Sequence, residues 1–134
     1  MISNLLSNLD WLAVLVATVA YFVIGAAWYG ILGKGWMEAA GLSKDQINNN
    51  FNKAIYGVTF IVEFVIVAFM GGMMGQELST GDAIQFGLVV GLIFSGLTTW
   101  IHNLYSMRSK NLIFYDAGYT TIASLVAAVI YASM

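Results

Sequence analysis

The chain has 134 residues, of which 60% are hydrophobic and only 9% charged, and its formal net charge is −2. Soluble domains average about half apolar and a quarter charged residues, so this composition excludes a water-soluble globule and with it the soluble enzyme and nucleic-acid-binding classes. The absence of Cys removes disulfides, thiolate catalysis and Cys-ligated zinc or iron–sulfur sites.

What remains is an all-α polytopic membrane protein, a single four-helix transmembrane domain over residues 1–134. The predicted spans run from Trp11 to Leu32, Ala54 to Met74, Ala83 to Tyr105 and Leu112 to Met134, each of 21 to 23 residues. At about 1.5 Å per residue, each can cross a hydrocarbon core of about 30 Å as one antiparallel member of a bundle. The first span is read as a retained helix rather than a signal peptide, because Met1 to Asp10 carries no Lys or Arg and the apolar run is too long.

All five basic residues fall in two loops: Lys34, Lys44 and Lys53 in the first, Arg108 and Lys110 in the third. The positive-inside bias therefore predicts that loops 33–53 and 106–111 are cytoplasmic and that both termini lie outside. Within the first loop, Gly35 to Ala40 reads as a short interfacial helix closed by Gly41, with Trp36 and Met37 dipping inward. Ser43 and Gln46 form a capping box, and Leu42 and Ile47 occupy the staple positions, so the second helix is expected to start near Lys44. Ser79 and Asp82 cap the third.

Helices surrounded by lipid associate through close packing, which small residues at four-residue spacing permit. Ala83, Gly87, Gly91, Ser95 and Thr99 form such a seam, ending at Asn103, while Gly71 and Gly75 form a shorter one and Ala13 and Ala17 a weaker one. The seam can meet a helix of the same chain or of a second copy. Aromatic residues gather toward the basic loops, among them Trp28, Tyr29, Trp36, Tyr56, Trp100 and Tyr115. They read as an interfacial belt or as the lining of a pocket open to that side.

Three ionisable groups interrupt the apolar pattern. Glu63 lies nine residues past Ala54, about 13 Å into its helix and close to the midplane. An acidic side chain there costs roughly 2.5 to 3.5 kcal/mol on insertion scales. It serves either as a proton or cation site or as hydrogen-bonded glue between helices, with Tyr56 and Thr59 on the same polar face. His102 and Asp116 are placed symmetrically about the turn at Ser106 to Asn111, which predicts equal depth. Either they face each other as a relay or ligand pair, or His102 is interfacial and Asp116 pairs with Arg108 or Lys110. No spacing for covalent, hydrolytic or metal-dependent catalysis is present, and no cofactor is expected.

The run Trp28-Tyr29-Gly30-Ile31-Leu32-Gly33-Lys34-Gly35-Trp36 resembles the signature closing the first span of the domain of unknown function 1761 family. The likeness continues through Trp11-Leu12-Ala13, Arg108-Ser109-Lys110-Asn111-Leu112 and Asp116-Ala117-Gly118-Tyr119. Where relatives often place Pro after the Trp-Tyr pair, this chain has Gly30-Ile31. The resemblance implies a small four-span protein of the bacterial cytoplasmic membrane and no chemistry. It also implies that Trp28, Tyr29, Lys34, Trp36, Asp116, Gly118 and Tyr119 form a shared site or scaffold.

The expected function is non-enzymatic: a homo-oligomer whose inward-facing cluster of Glu63, His102 and Asp116, framed by Trp28, Trp36 and Tyr119, binds an ion or small molecule for transport. The alternative is an accessory subunit that docks into a larger membrane protein complex through Gly87, Gly91 and Ser95.

Overall fold

The computed structural model describes residues 1–134. It contains α1 (Ile2–Leu6), α2 (Trp11–Ala40), α3 (Lys44–Asn50), α4 (Ala54–Met74), α5 (Thr80–Tyr105) and α6 (Leu112–Ser133), and no strand. The helices α2, α4, α5 and α6 are long and apolar enough to cross a membrane, and the chain is a multi-pass membrane protein.

Helix α2 starts at Asp10, whose Oδ1 accepts from the backbone N–H groups of Leu12 and Ala13, both at 2.9 Å. It does not stop at Leu32. It continues unbroken for 30 residues to Ala40, so the separate interfacial helix expected over Gly35 to Ala40 is instead the last turns of α2. The predicted stop is in place: Gly41 adopts φ 70 and its N–H donates to Glu38, while Leu42 donates to Met37. A side chain at that φ would be strained.

The short helix of the first loop is α3. The Ser43 and Gln46 capping box forms in both directions, at 3.2 and 2.8 Å. The helix it opens ends at Asn50, however, and does not run into the second span. Asn52 Oδ1 accepts from the Ala54 N–H at 2.9 Å and starts α4 afresh, a competition for backbone donors that Asn side chains commonly win.

The central pair is α2 and α6, antiparallel and in extensive contact, with α4 packed mainly on α2 and α5 packed, over a still larger contact, on α6. Both central helices bury side chains at one spacing. Ala13, Val14, Ala17, Thr18 and Tyr21 on α2 are matched by Ala123, Ser124, Ala127, Ala128 and Tyr131 on α6. Small residues at i, i+4 let the backbones approach, and the tyrosines fill the ends of the seam. The alanine-rich core lies toward the end of the bundle that holds the chain termini. There α1 covers α4 so closely that a Cβ on Gly72 would meet the Leu5 carbonyl at 2.5 Å, and Gln76 donates to the Asn8 carbonyl at 2.8 Å.

The small-residue seam of α5 faces its own α6. A Cβ on Gly87 would lie 2.6 Å from the Leu125 Cα, and one on Gly91 would lie 2.5 Å from the Thr121 Cα. Gly87 and Gly91 are buried, so this seam is consumed within the chain and cannot dock a partner. Past Gly91 the predicted stripe fails, because Val89–Gly96 is a π-helix. Its i→i+5 bonding adds a residue to the turn, so the seam continues at Gly96 rather than Ser95 and leaves out Thr99, but it ends as expected at buried Asn103. Gly71 packs under the Tyr131 ring, at 2.6 Å from an added Cβ, whereas Gly75 touches nothing and terminates α4 at φ 70.

Candidate functional site

Toward the basic loops the alanine core gives way to aromatic and ionisable side chains. On α2, Tyr21, Gly25 and Trp28 recur at helical spacing and Tyr29 and Trp36 follow. On α6, Tyr115, Asp116, Gly118 and Tyr119 meet them. Trp28 Nε1 donates to the Tyr115 carbonyl at 2.9 Å, and its ring lies over Gly118, where a Cβ would come within 2.9 Å. The Tyr29 hydroxyl donates to Asp116 Oδ1 at 3.0 Å. The Tyr29 ring sits edge-on between Trp36, at a centroid distance of 5.6 Å, and Tyr119, at 5.4 Å. The two segments quoted as motifs, far apart in sequence, thus form one surface.

Helix α4 adds the acid. Glu63 is 4% exposed, and its Oε1 accepts from the Tyr119 hydroxyl at 2.6 Å. Its Oε2 is buried without a hydrogen-bond partner. Leaving such an atom unpaired costs about 1–3 kcal/mol, so Glu63 is held only half-satisfied. Below Tyr119, the Tyr21 ring stands edge-on at 5.7 Å, and its hydroxyl shares a 3.4 Å hydrogen bond with Ser124.

Glu63 borders a groove. Helices α4 and α5 pack on the central pair rather than on each other, and the space between them is a cavity of about 470 Å³. Its α4 wall descends from Asn52 through Ile55, Val58, Thr59 and Val62 to Glu63 and Ile66. Ser95 and Thr120 stand opposite, with Tyr21 and Tyr119 at the inner end. The groove therefore leads from the basic end of the bundle to the middle of α4.

Of the residues expected at the site, Glu63, Asp116, Trp28, Trp36 and Tyr119 gather here, while His102 does not. His102 is exposed on α5, and the partner of Asp116 is Tyr29 rather than His102 or a basic side chain. Equal depth about the α5–α6 turn did not mean a shared face. After the π-helix it is the next residue, Asn103, that turns inward, with its Nδ2 unpartnered. Tyr56 is likewise exposed and packs edge-on to Phe22 and tilted against Phe51 instead of joining the polar face of Glu63. Sequence reasoning missed Tyr21. Its signal was present: a phenol four and seven residues ahead of Gly25 and Trp28, on the face that meets α6.

The chain matches the family model described as "Protein of unknown function (DUF1761)" over residues 12–132. It belongs to that family. No curated protein and no solved structure is similar enough to match it. The DUF1761 match spans all four long helices, so the Trp28 to Trp36 and Asp116 to Tyr119 segments that pack together lie within the family's shared region.

Proposed function

We propose that this DUF1761 protein binds an ion or a small molecule at Glu63 and moves it across the membrane. The observation that carries the proposal is the half-satisfied carboxyl group: one oxygen accepts from Tyr119, the other is buried without a partner, and Glu63 lines the groove between α4 and α5. An intramembrane acid that serves only to join helices is favoured with both oxygens engaged, since each unpaired buried atom is destabilising. Glu63 is the receiving group and Tyr119 holds it in place. Tyr29 and Asp116 form the next layer toward the basic end, and Trp28 and Trp36 fix Tyr29 and the start of α6.

The placement of all five Lys and Arg residues supports a cytoplasmic position for that end, in the bacterial inner membrane. The groove is then inward-facing. The outer-facing half of the alanine core is closed, so transport requires α4, which packs mainly on α2 and little on α6, to shift relative to the α2–α6 pair. The exposed aliphatic face of α4 leaves room for a second copy, and a homo-oligomer is part of this reading.

Native mass spectrometry of the protein extracted with its own lipids tests the proposal. The wild type should retain a small-molecule or ion adduct that Glu63→Gln loses. A stoichiometric complex with a different, larger protein and no adduct would instead make this chain an accessory subunit.

A further inference from the structure

The chemistry lining the groove restricts what it can receive. We infer that the ligand is an amphipathic amine: an ammonium N–H bonds to the free oxygen of Glu63 and an aliphatic body lies along Ile55, Val58 and Val62. This rests on the reading of Glu63 as a receiving group and names its ligand class.

The first argument is the count of donors. A bare divalent cation needs six or more oxygen ligands in a defined geometry, and no three His, Asp or Glu side chains converge anywhere in the chain. Glu63 offers one unengaged oxygen, which matches one N–H donor far better than the coordination shell of a metal ion. The second is size and lining. About 470 Å³ is far more than an ion requires, and the α4 wall is aliphatic, with Ile55, Val58 and Val62 each about half exposed. Apolar walls with one placed polar group are the general form of a small-molecule site. From Ile55 to Glu63 the wall extends about 12 Å along the helix, a reach suited to a medium-length alkyl chain.

The test uses octylamine and the matched trimethyloctylammonium ion, which has the same chain and charge but no N–H, with Na⁺ and Mg²⁺ as bare ions. Protein carrying ¹³C-glutamate in nanodiscs gives three side-chain carboxyl signals, from Glu38, Glu63 and Glu77, and Glu63→Gln assigns the middle one. Octylamine should shift the Glu63 signal saturably, and Val58→Trp, which fills the groove without touching the Glu63–Tyr119 bond, should weaken that response about tenfold or more. Trimethyloctylammonium should bind about tenfold more weakly for want of the charge-assisted hydrogen bond. If Na⁺ or Mg²⁺ shifts Glu63 and octylamine does not, the ligand class is wrong while Glu63 stands as an ion site. If no probe moves the Glu63 signal, both readings fall.

Discussion

Tyr119 on α6 donates its hydroxyl to Glu63 Oε1 on α4 at 2.6 Å, and this is the one side-chain hydrogen bond that ties α4 to another spanning helix. The α2–α6 pair has three such ties, from Tyr21, Trp28 and Tyr29. A chain that ties α4 to the α2–α6 pair through one side-chain hydrogen bond, and leaves the other oxygen of that carboxyl group without a partner, has placed that tie at its candidate site.

Removing the donor should expose that dependence. Tyr119→Phe keeps the ring contacts with Tyr21 and Tyr29 but strips Glu63 of its only partner, and should cost about 1–3 kcal/mol. Glu63→Gln retains an acceptor for the Tyr119 hydroxyl and should cost less. Unfolding by SDS titration, followed by circular dichroism, should rank wild type, Glu63→Gln and Tyr119→Phe in that order of stability.

Two alanine substitutions should have opposite signs. At Gly91 the new Cβ meets the Thr121 Cα and the Thr120 carbonyl, at 2.5 and 2.6 Å. Backbone cannot give way, so α5 and α6 must separate, at a cost of about 3 kcal/mol or more. At Gly30 nothing lies within 4 Å, and Gly30→Ala should stabilise α2 by up to about 1 kcal/mol through helix propensity alone. Equal effects in the same SDS titration would show that the α5 seam does not pack on α6.

The α5–α6 turn contains an unusual residue. Met107 adopts φ 52, the only non-glycine with positive φ, and closes α5 with its own N–H on the Leu104 carbonyl and that of Arg108 on the Asn103 carbonyl. This is the geometry in which glycine is favoured. Met107→Gly should therefore raise stability by about 1 kcal/mol, read as a higher Tm in detergent with the helical circular dichroism spectrum unchanged.

Much of this architecture is legible in the sequence because lipid demands long apolar helices. The apolar extent of α4 and its end at Met74 follow from hydropathy, though not the start of the helix at Ala54, and the Ser43 and Ser79 caps follow from side chains that accept backbone N–H groups. The stop at Gly41 is legible too, but not the continuity of α2 through Lys34, since the Gly33-Lys34-Gly35 run has the composition of a loop while its residues hold helical hydrogen bonds. The break between α3 and α4 depends on Asn52, one of several Asn in a row with nothing to single it out.

At the candidate site, depth was legible and face was not. Glu63 could be placed near the midplane by counting residues, but its bond to Tyr119 depends on how α6 is rotated against α4. The pairing proposed for His102 failed for a related reason. Eight residues of π-helix from Val89 to Gly96 carry no distinctive composition, yet they turn the rest of α5 so that Asn103, not His102, faces the bundle.

The most direct test of the central claim, that the carboxyl group of Glu63 lies at the end of an accessible groove, is reaction with dicyclohexylcarbodiimide at mildly acidic pH, followed by peptide mass spectrometry. The chain has seven acidic side chains. The account predicts that this apolar reagent modifies Glu63 in preference to Glu38, Glu77 and Asp82, and that Val58→Trp suppresses the modification. Labelling of those exposed acids with Glu63 left unmodified would contradict it, and would leave Glu63 as a sealed contact between helices.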